Sequence, residues 1–268
     1  MADHPPITLE ALQAMKPAGE KITCLTSYDA SFTTLLENNG VEILLVGDSL
    51  GMVVQGHAST LPVSMENMLY HCQLVARARR RAWLIVDMPY QSYETPQQTV
   101  ANAKQLIEQG GADMVKLEGG REQIDKVSAL SEAGIPICGH IGLLPQSVEK
   151  LGGFRVQGRE VEDAAGIVED AVTLQQAGAG LLVLECVPAA LGRRVSEAVT
   201  IPVIGIGAGK DCDGQVLVVY DLIGLSAGRR PRFVRDFLTR TGTLDKAVAA
   251  FVQAVKEGSF PSDTESYE

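Results

Sequence analysis

The chain has 268 residues, of which 46% are hydrophobic and 5% aromatic, and its formal net charge is -10. This length suits one domain, since barrels of alternating strands and helices commonly use about 250 residues. The acidic balance argues against a nucleic-acid partner, because proteins that bind a phosphate backbone usually display a basic stripe.

The composition of the chain also predicts a cytoplasmic protein that does not bind a membrane. Residues 1–13, MADHPPITLEALQ, lack the basic and apolar regions of a secretion signal. No apolar run approaches the roughly 18 residues that are needed to span a bilayer. The five cysteines are odd in number, widely spaced and mostly within apolar runs, which indicates buried, reduced thiols.

Eight apolar runs of strand length recur along the chain, with helical patterns between them. The runs are almost continuously hydrophobic, as in a parallel sheet whose two faces are both buried. Several helical patterns begin at Ser, Thr or Asp and end at Gly, as capped helices do. This alternation favours a (β/α)8 TIM barrel over a doubly wound sheet. The predicted strands cover residues 22–28, 42–49, 82–89, 112–119, 135–142, 180–186, 201–209 and 221–225.

Four segments fall outside this repeat. Residues 8–16 predict an extra N-terminal helix before the first strand. Residues 143–160 are the longest stretch without clear periodicity and are a candidate active-site loop. The loop 205–215, GIGAGKDCDGQ, is either a phosphate site or a tight, closely packed turn. We expect residues 1–268 to form a single domain with a frayed polar tail at about 258–268.

Charged and polar residues occur at the carboxyl ends of the second to sixth predicted strands. In a barrel these ends converge on the face that carries the active site. One such aspartate is more often a helix cap, but four crowded carboxylates cannot all stay ionised without a cation. The residues at these ends are Asp48, Asp87, Lys116, Glu118, His140 and Glu185.

The acids predict a site for a hard divalent metal. Oxygen ligands without a nearby cysteine suit Mg²⁺, with Mn²⁺ or another divalent ion as an alternative. We expect Asp48 and Asp87 to share the ion. Glu118 is either a third ligand or a group that holds a metal-bound water.

The other three residues have predicted roles of a different kind. Glu185 lies between apolar residues that favour its protonated form, so it is a general base or acid, or else an acid satisfied at a helix N-terminus. Lys116 shares a strand face with Glu118 and could bind a substrate carboxylate, form a structural ion pair or act as a Schiff-base nucleophile. His140 is either an orienting or electrophilic group or a satisfied core histidine.

Five stretches that contain these residues also carry a family resemblance. They are LLVGDSLGMVVQGHASTLPV, VDMPYQSYETPQQTVANAKQLIEQGGADMVKLEGG, GHIGLLPQS, LLVLECVP and GIGAGKDCDGQVLVVYD. Together they resemble the ketopantoate hydroxymethyltransferase family, in order and over roughly residues 7–260. The resemblance implies a (β/α)8 barrel that assembles as a cytoplasmic homo-oligomer, often a decamer. It also implies two small-molecule substrates. A one-carbon unit passes from 5,10-methylenetetrahydrofolate to 3-methyl-2-oxobutanoate and gives 2-dehydropantoate, in the first step of pantothenate biosynthesis.

The resemblance assigns roles to residues by motif. It implies that Asp48 and Asp87 bind Mg²⁺, that Glu118 is a further acidic residue of the metal site, and that Glu185 is the proton acceptor. The residues that match substrate contacts are Asp48, Ser49, Asp87 and Lys116, and His140 lies in the matching GHIGL segment.

Two departures from the family pattern and two rival functions remain. Ala58 stands where the family usually has an acid, and Tyr220 where it has a histidine.

One rival function is that of a metal-dependent lyase of the phosphoenolpyruvate mutase and isocitrate lyase kind, although the chain has no KKCG-like loop. The other is a non-catalytic barrel that binds a metabolite.

Overall fold

The barrel predicted from the sequence is present in a computed structural model, which describes residues 5–148, 153, 155–226 and 230–268. In this part of the chain eight parallel strands close into a barrel in chain order, and β8 pairs with β1. The strands are β1 Ile22–Thr26, β2 Ile43–Val46, β3 Trp83–Asp87, β4 Met114–Glu118, β5 Ile137–Gly142, β6 Leu181–Glu185, β7 Val203–Ile206 and β8 Gly214–Leu217. The (β/α)8 TIM barrel is therefore confirmed.

Helices connect the strands and flank the barrel. Their ends follow the expected capping chemistry: Ser64 forms a capping box with Asn67, and Thr95 caps a helix that has Pro96 in its first turn. The α-helices are α1 Leu9–Met15, α2 Ala30–Asn38, α3 Leu50–Val53, α4 Met65–Ala78, α5 Pro96–Glu108, α6 Ile124–Glu132, α7 Val161–Ala177, α8 Ala189–Ala198, α9 Val219–Leu222, α10 Leu238–Thr241 and α11 Leu244–Lys256. Short 3₁₀ helices cover Arg121–Gln123, Pro145–Ser147 and Asp263–Glu265.

The extra helix α1 contributes to the core inside the barrel. Its Leu12 is fully buried and belongs to the same apolar cluster as the inward residues Ile43 and Met114. A second, larger cluster lies between the strands and the surrounding helices. Because apolar residues fill the barrel interior, the polar side chains at the carboxyl ends of the strands are left as the lining of an open cavity.

The prediction for the eighth strand was wrong. Residues 221–225 lie in and just after α9, whereas β8 is Gly214–Leu217. The strand begins with a glycine and a glutamine, and its apolar residues 216–217 continue through residues 218–219 into α9, so the run lies across a strand–helix junction. A Cβ at Gly214 would lie 2.4 Å from the Ile22 carbonyl oxygen, so the close pairing with β1 requires glycine there.

The loop at residues 205–215 is packed closely against its neighbours. Gly207 and Gly209 have φ of 64° and 83°, which favour glycine. A Cβ at Gly207 would lie 2.6 Å from Phe233, and one at Gly209 would lie 2.6 Å from Ala189. These contacts support the closely packed turn, and its last two residues already belong to β8.

The C-terminal tail is packed, which differs from the expectation of a frayed segment. Phe260 is buried, with its ring 5.6 Å from that of Phe237. Further along, Glu265 Oε1 accepts a hydrogen bond of 2.8 Å from Arg235 Nε. The polar composition predicted exposure, but one buried aromatic and one ion pair hold the segment against the barrel.

Other expectations concerned the cysteines, the membrane and the loop at residues 143–160. All five cysteines are free and buried, as predicted. None of the helices in the described part of the chain is long and apolar enough to cross a membrane. Within the loop, residues 149–152 and 154 lie outside the described residues, while Leu143, Pro145 and Arg155 line the cavity at the carboxyl end of the barrel.

Candidate active site

The carboxyl ends of β2 to β6 meet around one cavity of about 840 Å³. Strand register sets the order of the side chains, because Asp87 on β3 pairs with Lys116 on β4, and Glu118 on β4 pairs with His140 on β5. The structure thus brings together every candidate site residue predicted from the sequence. Those that line the cavity are Asp48, Ser49, Asp87, Lys116, Glu118, His140 and Glu185.

Asp48 and Asp87 form the centre of the acid cluster. The backbone N–H of Asp48 donates a hydrogen bond of 3.0 Å to Asp87 Oδ2, and both side chains are buried. Burial, followed by the negative charge of Asp87, raises the pKa of Asp48 to about 7. A Cβ at Gly47 would lie 2.7 Å from Ser49 Oγ, so the glycine leaves room for this turn.

Lys116 supplies positive charge to the cluster. Its Nζ lies 3.0 Å from Asp87 Oδ1 and 3.1 Å from His140 Nδ1. Burial opposes the charged form, but the carboxylates, Asp87 first and then Glu118, outweigh this effect and raise the pKa of Lys116. A lysine held as an ammonium is a poor nucleophile, so this environment argues against the Schiff-base role.

His140 connects Lys116 to Glu185. Burial and then the Lys116 charge lower the pKa of His140, so its imidazole is neutral. An ammonium only donates, so Nδ1 accepts from Lys116 and the proton lies on Nε2. Nε2 is 3.2 Å from Glu185 Oε2, although the angle falls outside hydrogen-bond geometry and Nε2 has no partner among the described residues. A small rotation of the His140 ring or of the Glu185 carboxyl group would therefore complete a chain of hydrogen bonds from Lys116 through His140 to Glu185.

Glu185 ends β6 and is more accessible than the other acids. Its side chain is 13% exposed, whereas that of Glu118 is 4% exposed, so a substrate in the cavity can reach it. Burial raises the pKa of Glu185 to about 8, in the direction predicted from its apolar neighbours; Asp48 and Asp87 also raise it, while Lys116 lowers it. A carboxyl group with a pKa near neutrality can both take up and release a proton.

Gln146 contacts the acid cluster, and the sequence reasoning missed it. Its Nε2 donates to Asp48 Oδ2 at 2.9 Å and to the Met88 carbonyl oxygen at 3.1 Å. Its backbone N–H donates to Glu118 Oε2 at 3.0 Å, and its Oε1 accepts from the Tyr93 hydroxyl. The residue lies in the predicted active-site loop, and the PQS sequence directly after GHIGLL was the available signal.

The charge balance of the cluster fits a divalent cation. Four carboxyl groups surround one lysine, and burial together with mutual repulsion raises the pKa of Asp48 and Glu118. Asp87 Oδ1 is 3.0 Å from Lys116 Nζ but makes no hydrogen bond with any described residue. A carboxylate oxygen donor set matches a hard ion such as Mg²⁺.

Asp48 and Asp87 are the candidate pair of direct protein ligands, and Glu118 is either a third ligand or a group that holds a metal-bound water. In the described part of the chain no group of three or more His, Cys, Asp or Glu side chains is arranged to hold a metal ion. Asp48 and Asp87 are adjacent, whereas Glu118 is held by the Gln146 backbone. Mg²⁺ commonly takes one or two carboxylates and keeps several waters, so this donor set suffices.

The two departures from the family pattern lie outside the cavity lining. Ala58 is exposed in the segment after α3. Tyr220 stacks on Tyr28, with ring centroids 5.9 Å apart, and the Tyr28 hydroxyl is 2.9 Å from Ser49 Oγ. Through Tyr28, Tyr220 is connected to the Ser49 end of the cavity.

Comparisons with known proteins identify relatives along nearly the whole chain. The model of the family described as ketopantoate hydroxymethyltransferase matches residues 6–263. A 3-methyl-2-oxobutanoate hydroxymethyltransferase from Nitrosococcus oceani is 56% identical over 255 residues, which is 95% of this chain and 97% of the relative. One from Alteromonas mediterranea is 52% identical over 262 residues, 98% of this chain and 99% of the relative.

Solved structures share the fold at low sequence identity. A putative phosphonomutase from Burkholderia cenocepacia has a TM-score of 0.64 and 16% identity, covering 81% of this chain and 93% of its own. An oxaloacetate acetylhydrolase has a TM-score of 0.59 and 14% identity, covering 96% and 99%. At this identity the likeness shows a common barrel and nothing about the reaction.

Proposed function

The chain belongs to the ketopantoate hydroxymethyltransferase family, and we propose that its buried acid cluster is where the family's reaction takes place. The enzyme is a one-carbon transferase of pantothenate biosynthesis: it transfers a hydroxymethyl group from 5,10-methylenetetrahydrofolate to 3-methyl-2-oxobutanoate, giving 2-dehydropantoate. Relatives at 50–56% identity that carry the name of this activity support the assignment.

One observation carries the assignment of the site. Asp48, Asp87, Lys116 and Glu185 line the same cavity, so a carboxylate pair for a cation, an ammonium for an anionic substrate and a candidate base surround one volume. The reaction needs these three elements, because the substrate is a 2-oxo acid that must lose a proton beside its keto group.

Asp48 and Asp87 would hold the divalent ion, with Mg²⁺ as our proposal and Mn²⁺ as the alternative. Glu118 would act outside the direct ligands, through a bound water. A bound ion supplies electrostatic stabilisation of the negative charge that develops on the keto oxygen. Two observations support this proposal: Asp87 Oδ1 accepts no hydrogen bond from a described residue although it lies beside the Lys116 ammonium, and carboxyl groups outnumber lysines in the cluster.

The remaining residues would bind and deprotonate the oxo acid. Lys116 and Ser49 would hold the substrate carboxylate, because an ammonium and a hydroxyl both donate hydrogen bonds. Water would release the methylene carbon from the donor as formaldehyde: the water oxygen bonds to that carbon, both of its bonds to N5 and N10 break, and the two nitrogens take up the two water protons. Glu185, as a carboxylate, would take the proton from C3, and the electron pair of that C–H bond would form the new C–C bond to the formaldehyde carbon. The alkoxide that results would take the proton back from Glu185 and become the hydroxyl group of the product.

His140 would position Glu185. With its proton on Nε2, it can donate to Glu185 Oε2 and hold that carboxylate while the other oxygen faces the substrate. Lys116 fixes this tautomer through the contact with Nδ1. The charged Lys116 ammonium thus keeps the His140 imidazole neutral and in the tautomer that can donate to Glu185.

Product analysis tests this function against its two rivals. We expect purified protein with Mg²⁺ and both substrates to form 2-dehydropantoate, detected by mass spectrometry. Turnover of oxaloacetate or methylisocitrate without that product would instead favour the lyase. Loss of the C3 proton into deuterated water without folate would exclude the non-catalytic barrel.

Assembly, location and domain organisation are further proposals that rest on the family. We propose a homo-oligomer, specifically a decamer, in the cytoplasm, with residues 1–268 as one domain. The closed barrel supports a single domain, because its first and last strands pair with each other. Light scattering on the purified chain measures the oligomer directly.

A further inference from the structure

The cavity has an exposed region that the acid cluster does not use. Asp48, Asp87 and Glu118 are at most 5% exposed, and a five-carbon oxo acid needs only a small part of about 840 Å³. Cavities of roughly 300–1,000 Å³ hold drug-sized ligands. The half-buried or exposed residues that line the cavity outside the acid cluster include Met52, Val53, Arg230, Arg232 and Tyr267.

Tyr267, the second-last residue, is fixed in this wall by the packed tail. Its carbonyl oxygen accepts a hydrogen bond of 2.9 Å from the backbone N–H of Ala189, at the start of α8. The ion pair of Glu265 with Arg235 holds the tail two residues earlier. The Tyr267 backbone also bridges to Pro188, and Tyr267 lines the same cavity as Cys186, which directly follows Glu185. The tail therefore places an aromatic ring next to the strand end that carries the proposed base.

Arg232 adds a positive charge to the same wall. Its guanidinium carbon lies 5.6 Å from the centroid of the Tyr267 ring, and its Nη1 donates to the Ser266 carbonyl oxygen at 3.4 Å. Arg232 is exposed, and these two contacts leave part of its guanidinium facing outward at the cavity wall. An exposed guanidinium can pair with a carboxylate of a ligand.

We propose that Tyr267 and Arg232 bind the one-carbon donor, an assignment that rests on the proposed function. The donor is a reduced pterin, of which the pyrimidinone ring is flat, joined to a tail that carries carboxylates. An aromatic ring provides a stacking surface for a flat heterocycle, and a guanidinium pairs with a carboxylate. Binding there puts the donor beside the end of β6, where the C3 carbon must meet it.

Calorimetric binding to the full chain, with Mg²⁺ and 3-methyl-2-oxobutanoate present, tests this assignment with two probes. Tetrahydrofolate has the carboxylate tail, and 6-methyltetrahydropterin lacks it. We expect Tyr267→Ala to raise the Kd of both probes about tenfold, the scale of a lost aromatic stack, and Tyr267→Phe to retain binding. Arg232→Gln should raise the Kd of tetrahydrofolate about tenfold and that of the pterin by clearly less, because only tetrahydrofolate has the carboxylates whereas both probes use the Tyr267 ring that Arg232 contacts.

Two further variants serve as checks. A chain without Tyr267 and Glu268 keeps the Glu265 ion pair and should bind both probes as weakly as Tyr267→Ala. Tyr70→Ala removes a tyrosine that is 59% exposed and does not line the cavity, so it should bind normally. The assignment would be overturned if Tyr267→Ala or Arg232→Gln bound tetrahydrofolate with the same Kd as the wild-type chain. It would also be overturned if the wild-type chain did not bind tetrahydrofolate.

The half-reaction separates this inference from the proposed function. Exchange of the C3 proton needs no donor, so it should change less than the Kd of tetrahydrofolate does in these variants. An equal loss of exchange and of donor binding would overturn the inference. A wild-type chain that binds tetrahydrofolate through Tyr267 and Arg232 but shows neither exchange nor product would contradict the proposed function alone.

Discussion

The side-chain amide of Gln146 donates a hydrogen bond of 2.9 Å to Asp48 Oδ2. The same residue holds Glu118 through its backbone N–H. One loop residue after β5 therefore sets the orientation of two acids that come from β2 and β4. Because ligand orientation affects metal affinity, the loop and the proposed metal site should depend on each other.

Replacing Gln146 should weaken metal binding. In Gln146→Met the amide donor is lost while the side-chain size is kept, so Asp48 is less well held and its protonated form is favoured. We expect the Kd of Mg²⁺ to rise about 10- to 100-fold, the usual effect of losing a group that orients a ligand. Titration calorimetry measures this Kd.

Gln215→Met is the matched control for that substitution. Gln215 is also buried, and its Nε2 donates to the Gly209 carbonyl oxygen at 3.0 Å, away from the acids. Each variant should lose about 1–3 kcal/mol of unfolding free energy, because a buried partner is left unsatisfied. Equal Mg²⁺ affinity in the two variants would show that Gln146 is only a structural residue.

Removing the carboxylate of Glu185 should stop proton abstraction without preventing substrate binding. Glu185→Gln keeps the shape of the side chain, so we expect the Kd of 3-methyl-2-oxobutanoate to be nearly unchanged. Exchange of the C3 proton into deuterated water, followed by NMR, should slow by about 10²- to 10⁴-fold. Glu132→Gln, at an exposed position on α6, should leave exchange unaffected. Normal exchange in Glu185→Gln would remove Glu185 from the base role.

The exchange rate should also rise with pH. Burial raises the pKa of Glu185 to about 8, so below that pH most of this carboxyl group is protonated and cannot act as a base. The rate should therefore fall about tenfold per unit as the pH drops below the midpoint and level off above it. A bound cation favours the carboxylate, so with Mg²⁺ the midpoint should lie at or below 8. An exchange rate that does not change between about pH 5 and 9 would contradict this account, because a carboxyl group with such a raised pKa titrates within roughly that range.

Loss of the Lys116 ammonium should weaken substrate binding. In Lys116→Met the proposed partner of the substrate carboxylate is absent, and we expect KM for the oxo acid to rise about 10- to 100-fold. The variant also leaves Asp87 without its nearest charge partner, so circular dichroism must confirm the fold. An unchanged KM in a folded variant would assign Lys116 to a structural ion pair.

The fold and the acid cluster were predictable because their signals are local in the sequence. Apolar runs mark the strands, and an acid directly after such a run lies at the carboxyl end of the barrel, as Asp48 and Glu185 do. The strand β8 was missed because its apolar run, residues 216–219, continues past the end of the strand into α9, while the apolar DLIGL segment that was predicted as a strand contains the buried Leu222 of α9.

Gln146 and Tyr267 were not predictable in the same way. Gln146 belongs to a loop without periodicity, and its position depends on contacts with three other segments of the chain. Tyr267 lies in a polar tail whose composition indicates disorder, yet Phe260 and Glu265 hold that tail in place. Such positions follow from tertiary contacts between distant residues, which no local pattern records.

A crystal structure of the protein with Mn²⁺ and 3-methyl-2-oxobutanoate tests the central claim most directly. Anomalous scattering locates the ion without reference to the surrounding atoms. We predict one peak at which carboxylate oxygens of both Asp48 and Asp87 are ligands, with oxygens of the oxo acid in open positions. An ion bound elsewhere, or an oxo acid bound in the cavity with no ion between these two side chains, would contradict the account.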